Sequence, residues 1–274
     1  MNLAAALAMT MRSDLGRRRE RNEDAVFINV DSGLAILADG MGGSNAGEVA
    51  SNMACALLAE RFARFLPTCD EHNADGGSDP GFICEHVASE VAAVNRIIFD
   101  TAEGDSRYLG MGTTVVLAWF YDNQVAVAHV GDSRLYRLRD EHFELLTKDH
   151  SVLQEQIDSG MINPEEARFS DTRNLLTRAL GGEAEVDVEV HIHDTRPGDL
   201  FLQCSDGLSE MVEDEEIKIT LQTMGGNLDL AAEQLLRLAN DYGGRDNISV
   251  ILTRVQGDYA VPRGWWQHLW ATMK

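Results

Sequence analysis

The run TVVLAWFY-DN-QVAVAHV, residues 114–130, constrains the fold more than any other stretch. Its arms are rich in β-branched and aromatic residues, and only Asp122 and Asn123 separate them. A parallel pair needs a crossover of a dozen residues or more, so these arms must fold back on each other as an antiparallel hairpin. The pattern recurs where AVFINV and LAILA flank DSG, and again where FELL follows RLYRL. VDVEVHIH, DLFLQC and NISVILT add three more strand patterns.

Helical spacing takes over between these groups. Val49, Met53, Leu57 and Phe62 form one apolar stripe, Ile83, Val87, Val91, Val94 and Ile98 a second, and Leu228, Ala231, Leu235, Leu238 and Tyr242 a third. Tight hairpins alternating with amphipathic helices predict an α+β domain, with two antiparallel sheets packed together and helix pairs outside. The apolar start, MNLAAALAMTMR, carries its basic residue after the apolar part, which reads as an edge strand rather than a targeting segment. Residues 67–80, PTCDEHNADGGSDP, read as a loop between two helices. Residues 151–178 combine short helical signals with a proline and many charges, and read as a mobile flap.

The strands end in a consistent way. Asp39 follows AILA, Asp132 follows AVAHVG and Asp206 follows LFLQCS, while Asp246 precedes NISVIL and Glu23–Asp24 precede AVFINV. One such residue is an ordinary turn feature. Five acidic positions brought to one rim would repel strongly unless cations lay among them. An oxygen-only ligand set with no nearby His or Cys suits Mg²⁺ or Mn²⁺, and two such ions can clamp a phosphoryl group and activate water. The glycines around Asp39 then keep space clear for ions and substrate, and a Gly carbonyl can itself be a ligand. Four arginines stand directly before this acid set, in GRRRERNED, and one of them could hold a phosphate.

Charge and cysteine content narrow the class. With 45 Asp and Glu against 23 Lys and Arg, the 274-residue chain has a formal net charge of −22, which disfavours nucleic-acid binding and hence a two-metal nuclease. Cys55, Cys69, Cys84 and Cys204 are too scattered for a zinc site or a disulfide framework and fit a reducing cytoplasm. No apolar run approaches the ~20 residues of a membrane span.

The segments GRRRERNEDA, ADGMGG…GEVAS, MGTT, HVGDSRLYRL, LTKDHS, LQCSDGLSEMV and GRDNISVI occur in an order that resembles the protein phosphatase 2C family in its compact bacterial form, over roughly residues 8–254. The resemblance implies an α/β-β/α four-layer sandwich and a metal-dependent protein serine/threonine phosphatase with a binuclear Mn²⁺/Mg²⁺ centre. It implies that Asp39 bridges both ions, that Gly40 offers its carbonyl, and that Asp206 and Asp246 complete the second ion's shell. Glu23 and Asp24 match acidic positions acting directly or through water. Arg19 matches the phosphate-binding arginine, and Asp132 with Asp206 a third-ion site. Asn247 matches a supporting position, residues 151–178 a flap that shapes access, and His150 a residue supporting the flap base. Partners would be phosphorylated proteins, such as a Ser/Thr kinase or its substrate. A non-enzymatic phosphoprotein-binding module would not need to keep Asp39, Asp206 and Asp246 together.

Ser44 departs from the pattern, since similar bacterial sequences carry a histidine there that is a candidate leaving-group acid. His191 and His193 lie on the polar side of VDVEVHIHD and read as surface residues. The division expected is a catalytic domain over residues 1–256 and a C-terminal tail over 257–274. In that tail Trp265, Trp266, Leu269 and Trp270 form one apolar helical face, suited either to folding back on the domain or to docking on a partner or membrane surface.

Overall fold

The computed structural model describes residues 3–43, 46–72, 80–163 and 175–261. A helical turn, α1 (Leu3–Ala6), leads into β1 (Leu7–Asp14). Then come β2 (Asp24–Asn29), β3 (Leu34–Met41), and the long helices α2 (Ala46–His72) and α3 (Pro80–Gly104). A second β region holds β4 (Gly112–Thr113), β5 (Val115–Tyr121), β6 (Gln124–Val130), β7 (Arg134–Arg139) and β8 (His142–Leu145). After α4 (Val152–Asp158) follow β9 (Glu189–Asp194), β10 (Leu200–Cys204), α5 (Asp206–Ser209), α6 (Asp214–Met224), α7 (Leu228–Asp241) and β11 (Ile248–Val255).

The hairpin at 114–130 forms as expected. Val115 pairs with Val130 and Tyr121 with Gln124, and the turn residues Asp122 and Asn123 adopt φ of 42° and 57°. These left-handed values let a two-residue turn follow the twist of its strands. One sheet runs β2-β3-β5-β6-β9, with β4 appended to β3, and the other runs β1-β11-β10-β7-β8. The N-terminal strand is therefore an edge, as its sequence suggests.

Central strands are apolar on both faces because each face meets a different layer. In β5, Val115, Leu117, Trp119 and Tyr121 pack with α2 and α3, while Val116, Ala118 and Phe120 meet the other sheet. In the second sheet, Leu200, Leu202, Val250 and Leu252 pack with Ile217, Leu221 and Leu235 of α6 and α7. Phe120 and Phe201 touch edge to face between the sheets, with centroids 5.2 Å apart. The result is the four-layer α/β-β/α sandwich. Between the sheets, Gln203 is 2% exposed, and its Nε2 donates to the Val116 carbonyl at 2.9 Å.

Some local expectations need correction. α2 continues to His72, so residues 67–72 are helical rather than loop, and Pro67 does not end the helix. Polar composition alone does not distinguish a helix end from a loop. Residues 73–79 lie outside the described residues. α6 escapes the periodicity because its buried stripe is only Ile217, Thr220 and Leu221, behind a first turn of Asp214, Glu215 and Glu216 that suits the helix N-terminus. His191 is exposed, but His193 is half-buried with Nε2 shut off from solvent. Its cross-strand partner Val125 faces the second sheet, so this side of β9 looks inward. In the flap segment, Ser151 caps α4 through the Gln154 N–H, and residues 164–174 are outside the described residues. Beyond residue 256, Tyr259 is 3% exposed and donates its N–H to Asn123 Oδ1 at 2.8 Å, so this part of the expected tail lies on the domain. The tryptophan-bearing face of the tail, from Trp265 to Trp270, is outside the described residues.

Candidate metal centre and active site

The β2–β3 register sets Asp24 directly opposite Asp39. The Asp39 backbone is held firmly: its N–H donates to Thr114 Oγ1 at 3.1 Å, and its carbonyl accepts from Thr114 N at 2.8 Å and Thr113 Oγ1 at 2.9 Å. The carboxylate is thus the free end of a fixed residue. Gly40 follows because nothing larger fits, since a Cβ there would lie 2.1 Å from the Gly47 carbonyl oxygen and 2.6 Å from that of Glu23. Gly40 N–H donates to that Glu23 carbonyl at 3.1 Å, tying the two acidic strand ends together.

The second sheet supplies the opposite side. Asp206 opens α5 just past β10, and Asp246 precedes β11. Asp246 Oδ1 accepts from Asn247 N at 2.8 Å, and Oδ2 accepts from Arg19 Nη2 at 2.6 Å. Asn247, 4% exposed, anchors the arginine-rich loop. Its Oδ1 accepts from Glu23 N at 2.8 Å, and its Nδ2 donates to the Leu15 and Arg21 carbonyls at 2.9 Å each. Asp132 sits on the β6–β7 crossover between the sheets, after Gly131 at φ +104°. Thr114 Oγ1 lies 2.7 Å from Ser133 Oγ, so one threonine touches the backbone beneath Asp39 and the residue after Asp132.

The electrostatics are those of a site built for cations. Burial, then repulsion from Asp24, Asp206, Asp132 and Asp246, holds the Asp39 carboxyl well above the usual range. Asp206 is raised likewise, by burial and then by Asp132, Asp246 and Glu210. Burial pushes Asp24 up to about 6, although Ser205 Oγ donates to its Oδ2 at 2.9 Å. Asp132 is pushed up to about 7 by burial and by Asp149. Glu23 is raised by burial, against the pull of Arg19. Asp24 Oδ1 and Asp206 Oδ1 are closed to solvent without a hydrogen-bond partner. Buried oxygens left without a donor among mutually repelling carboxylates fit hard divalent ions, and the all-oxygen donor set suits Mn²⁺ or Mg²⁺.

Every acidic residue of the expected set therefore lies in this neighbourhood, as do Gly40, Arg19 and Asn247. Arg17 instead pairs with Asp241 at 3.0 Å. Ser44 lies outside the described residues. Sequence reasoning missed Thr114, Ser205 and the Arg134–Asp149 pair, whose Nη2–Oδ2 distance is 2.7 Å. The motifs MGTT, CSDG and GDSR carry Thr114, Ser205 and Arg134, but neutral hydroxyls and a half-buried arginine do not announce themselves beside acids. A cleft of about 380 Å³ adjoins the centre, lined among others by Asp132, Arg134, Asp206, Glu210 and, from the flap segment, Leu153 and Ile157.

Comparison with known proteins defines the class. The protein phosphatase 2C family model matches residues 16–252. The serine/threonine phosphatase stp of Listeria welshimeri is 39% identical over 246 residues, covering 88% of this chain and 93% of that protein. The crystal structure of the Mycobacterium tuberculosis serine/threonine phosphatase PstP/Ppp superposes with a TM-score of 0.81 at 37% identity, covering 92% of this chain and 100% of that one. The PstP catalytic domain in complex with two manganese ions gives a TM-score of 0.77 at 38% identity, covering 92% and 99%. The chain belongs to the protein phosphatase 2C family. It is a metal-dependent protein serine/threonine phosphatase of the bacterial type, acting on phosphorylated proteins with a binuclear Mn²⁺/Mg²⁺ centre. No helix among the described residues is long and apolar enough to cross a membrane.

Proposed function

We propose that Asp39, through its carboxylate, and Gly40, through its carbonyl, join Glu23, Asp24, Asp206 and Asp246 in holding the two ions, with Asp132 and Asp206 holding a third. The two buried, partnerless oxygens on Asp24 and Asp206 carry this reading. Bound Mn²⁺ or Mg²⁺ supplies positive charge for the phosphoryl oxygens and acidifies a water.

The protein's own groups do the rest. Thr113 and Thr114 fix the Asp39 backbone, so its carboxylate needs no reorganisation. Arg19, half-exposed and resting on Asp246 at 2.6 Å, is the cation that receives the substrate phosphate. A dianionic phosphate outbids a single carboxylate for a guanidinium fork, so Arg19 exchanges Asp246 for substrate. Asn247 holds the loop that carries Arg19 and Glu23 in register with Asp246. Residues 151–178 act as a flap over the adjoining cleft, and residues 1–256 form the catalytic unit, against which Tyr259 packs, while the tryptophan-bearing stretch beyond residue 261 serves to dock a partner or a membrane surface.

We place the enzyme in the cytoplasm, opposing a Ser/Thr kinase. The scattered cysteines support this setting, and Cys55, Cys84 and Cys204 are free thiols. The test is hydrolysis of an aryl phosphate and a phosphothreonine peptide with and without Mn²⁺, for the wild type and Asp39→Asn, with circular dichroism to confirm the fold. Mn²⁺-dependent turnover abolished in a folded Asp39→Asn is expected. Full activity of that variant at saturating Mn²⁺ overturns the ligand assignment.

A further inference from the structure

His150 lies outside the carboxylate set, yet its contacts converge on it. It is 6% exposed, at the point where the flap segment leaves the domain. Its backbone N–H donates to the Gly131 carbonyl at 2.9 Å, and its Nδ1 accepts from the Gly131 N–H at 3.2 Å. One histidine thus grips both polar groups of the glycine preceding Asp132. Its carbonyl accepts from Thr177 N at 2.9 Å, while Ser151 bridges to Leu176 and Val152 N donates to the Leu175 carbonyl at 2.8 Å. Both ends of the flap segment are therefore fastened beside His150. On the far side, Nε2 faces Glu189 Oε2 at 3.3 Å, and the ring stacks on His129 with centroids 4.7 Å apart.

His129, His150 and Glu189 each place a ligand atom within 4.8 Å of the others, a composition that suits a transition metal. The hydrogen bonding points elsewhere. Because Nδ1 accepts from Gly131, the ring proton sits on Nε2 and is donated to Glu189, so no lone pair of His150 faces the carboxylate. This is the arrangement in which a carboxylate fixes the tautomer and orientation of an imidazole so that its other nitrogen can act.

We propose that His150 is a positioning residue for Asp132, with Glu189 setting its tautomer. The Nδ1 lone pair and the backbone N–H together hold Gly131 at φ +104°, a conformation in which a Cβ would also lie 2.7 Å from the Thr114 side chain. That backbone shape sets Asp132 beside Asp206, on whose carboxyl its charge acts and with which it lines the same cleft. The inference rests on reading Asp132 as an ion ligand.

The test uses the difference between asparagine and glutamine. In His150→Asn the shorter amide places an oxygen near the former Nδ1 and can accept from Gly131, whereas in His150→Gln the longer one reaches only the former Nε2 position. The Mn²⁺ concentration for half-maximal aryl-phosphate hydrolysis is measured for His150→Asn, His150→Gln, Asp132→Asn and the double variant His150→Gln/Asp132→Asn. His150→Gln should raise it about tenfold, since it strands a buried N–H, and His150→Asn by less than about threefold. KM for the aryl phosphate should stay unchanged, and His150→Gln should add nothing in the Asp132→Asn background. Glu189→Ala, on a half-exposed edge strand, should shift the requirement in the same direction, and Glu189→Gln should restore it. Equal effects from the two amide substitutions, or a His150→Gln effect that persists without Asp132, overturn the proposal. No change from Asp132→Asn alone overturns the ligand reading on which it rests. If His150→Gln fails to fold, the Glu189 pair decides: no shift in Glu189→Ala, or none restored by Glu189→Gln, overturns it.

Discussion

Removing the charge of Asp24 should stabilise the ion-free protein. Asp24 is raised from its ordinary 3.8 to about 6, chiefly by burial. A shift of about two units at ~1.4 kcal/mol each places about 3 kcal/mol of strain on the ionised, ion-free folded state. The sign follows from linkage. The folded pKa lies above the unfolded one, so this group's stability contribution is complete below pH about 4 and is lost as pH rises through about 6. Asp24→Asn keeps an acceptor for Ser205 Oγ and carries no charge. In EDTA at pH about 7.5 it should melt about 6–12 °C above the wild type, the gap closing as pH falls toward 4. Burial holds the imidazoles of His129, His150 and His193 below their usual range, which gives an opposite trend. Those residues are common to both proteins and cancel in the difference. At saturating Mn²⁺ the order should reverse, because the wild type then gains binding energy that the variant lacks. Thermal melts by circular dichroism across this pH range read the effect directly. An Asp24→Asn protein that melts below the wild type in EDTA near pH 7.5, or a gap independent of pH, refutes the reasoning.

Arg19→Ala should raise KM for phosphopeptide with little change in ion affinity, while Arg17→Ala, which loses only a surface pair with Asp241, should do much less; steady-state kinetics with Mn²⁺ titration distinguishes them. Gly40→Ala should lose about 3 kcal/mol and most activity, because its Cβ meets the Gly47 carbonyl oxygen at 2.1 Å; a denaturant melt checks it. Asn247→Ala strands three backbone groups of the arginine loop and should cost about 2–4 kcal/mol, with weaker Mn²⁺ binding by calorimetry. A serine hydroxyl is a poor acid at neutral pH, so Ser44→His should raise kcat on a phosphoserine peptide, where a positioned acid is worth ~10²–10⁴-fold, and barely alter the aryl-phosphate rate; equal gains on both substrates sink that idea.

The hairpins and the acids at their ends were legible because both are local. A two-residue turn between β-rich arms leaves one topology, and a carboxylate at a strand end follows from reading that strand. Helix α6 was not legible, because its stability comes from the sheet beneath it and three buried positions make no period. The supporting shell was hidden for a different reason. Thr114 and Ser205 are neutral and small, and their importance is a matter of what lies across from them in space. His150 stood out only as part of a motif, and its grip on Gly131 depends on a contact 19 residues back along the chain.

The carboxylates come from both sheets' side of the seam: Asp24 and Asp39 lie in β2 and β3, Asp206 follows β10, Asp246 precedes β11, and Asp132 is on the crossover between the sheets. If these carboxylates hold the ions as proposed, a shared ion is also a rivet across the seam. Without that ion, the same residues would push the two sheets apart instead of joining them. Resistance to proteolysis should then track the free Mn²⁺ or Mg²⁺ level, so that starvation for the ion removes the enzyme as well as silencing it.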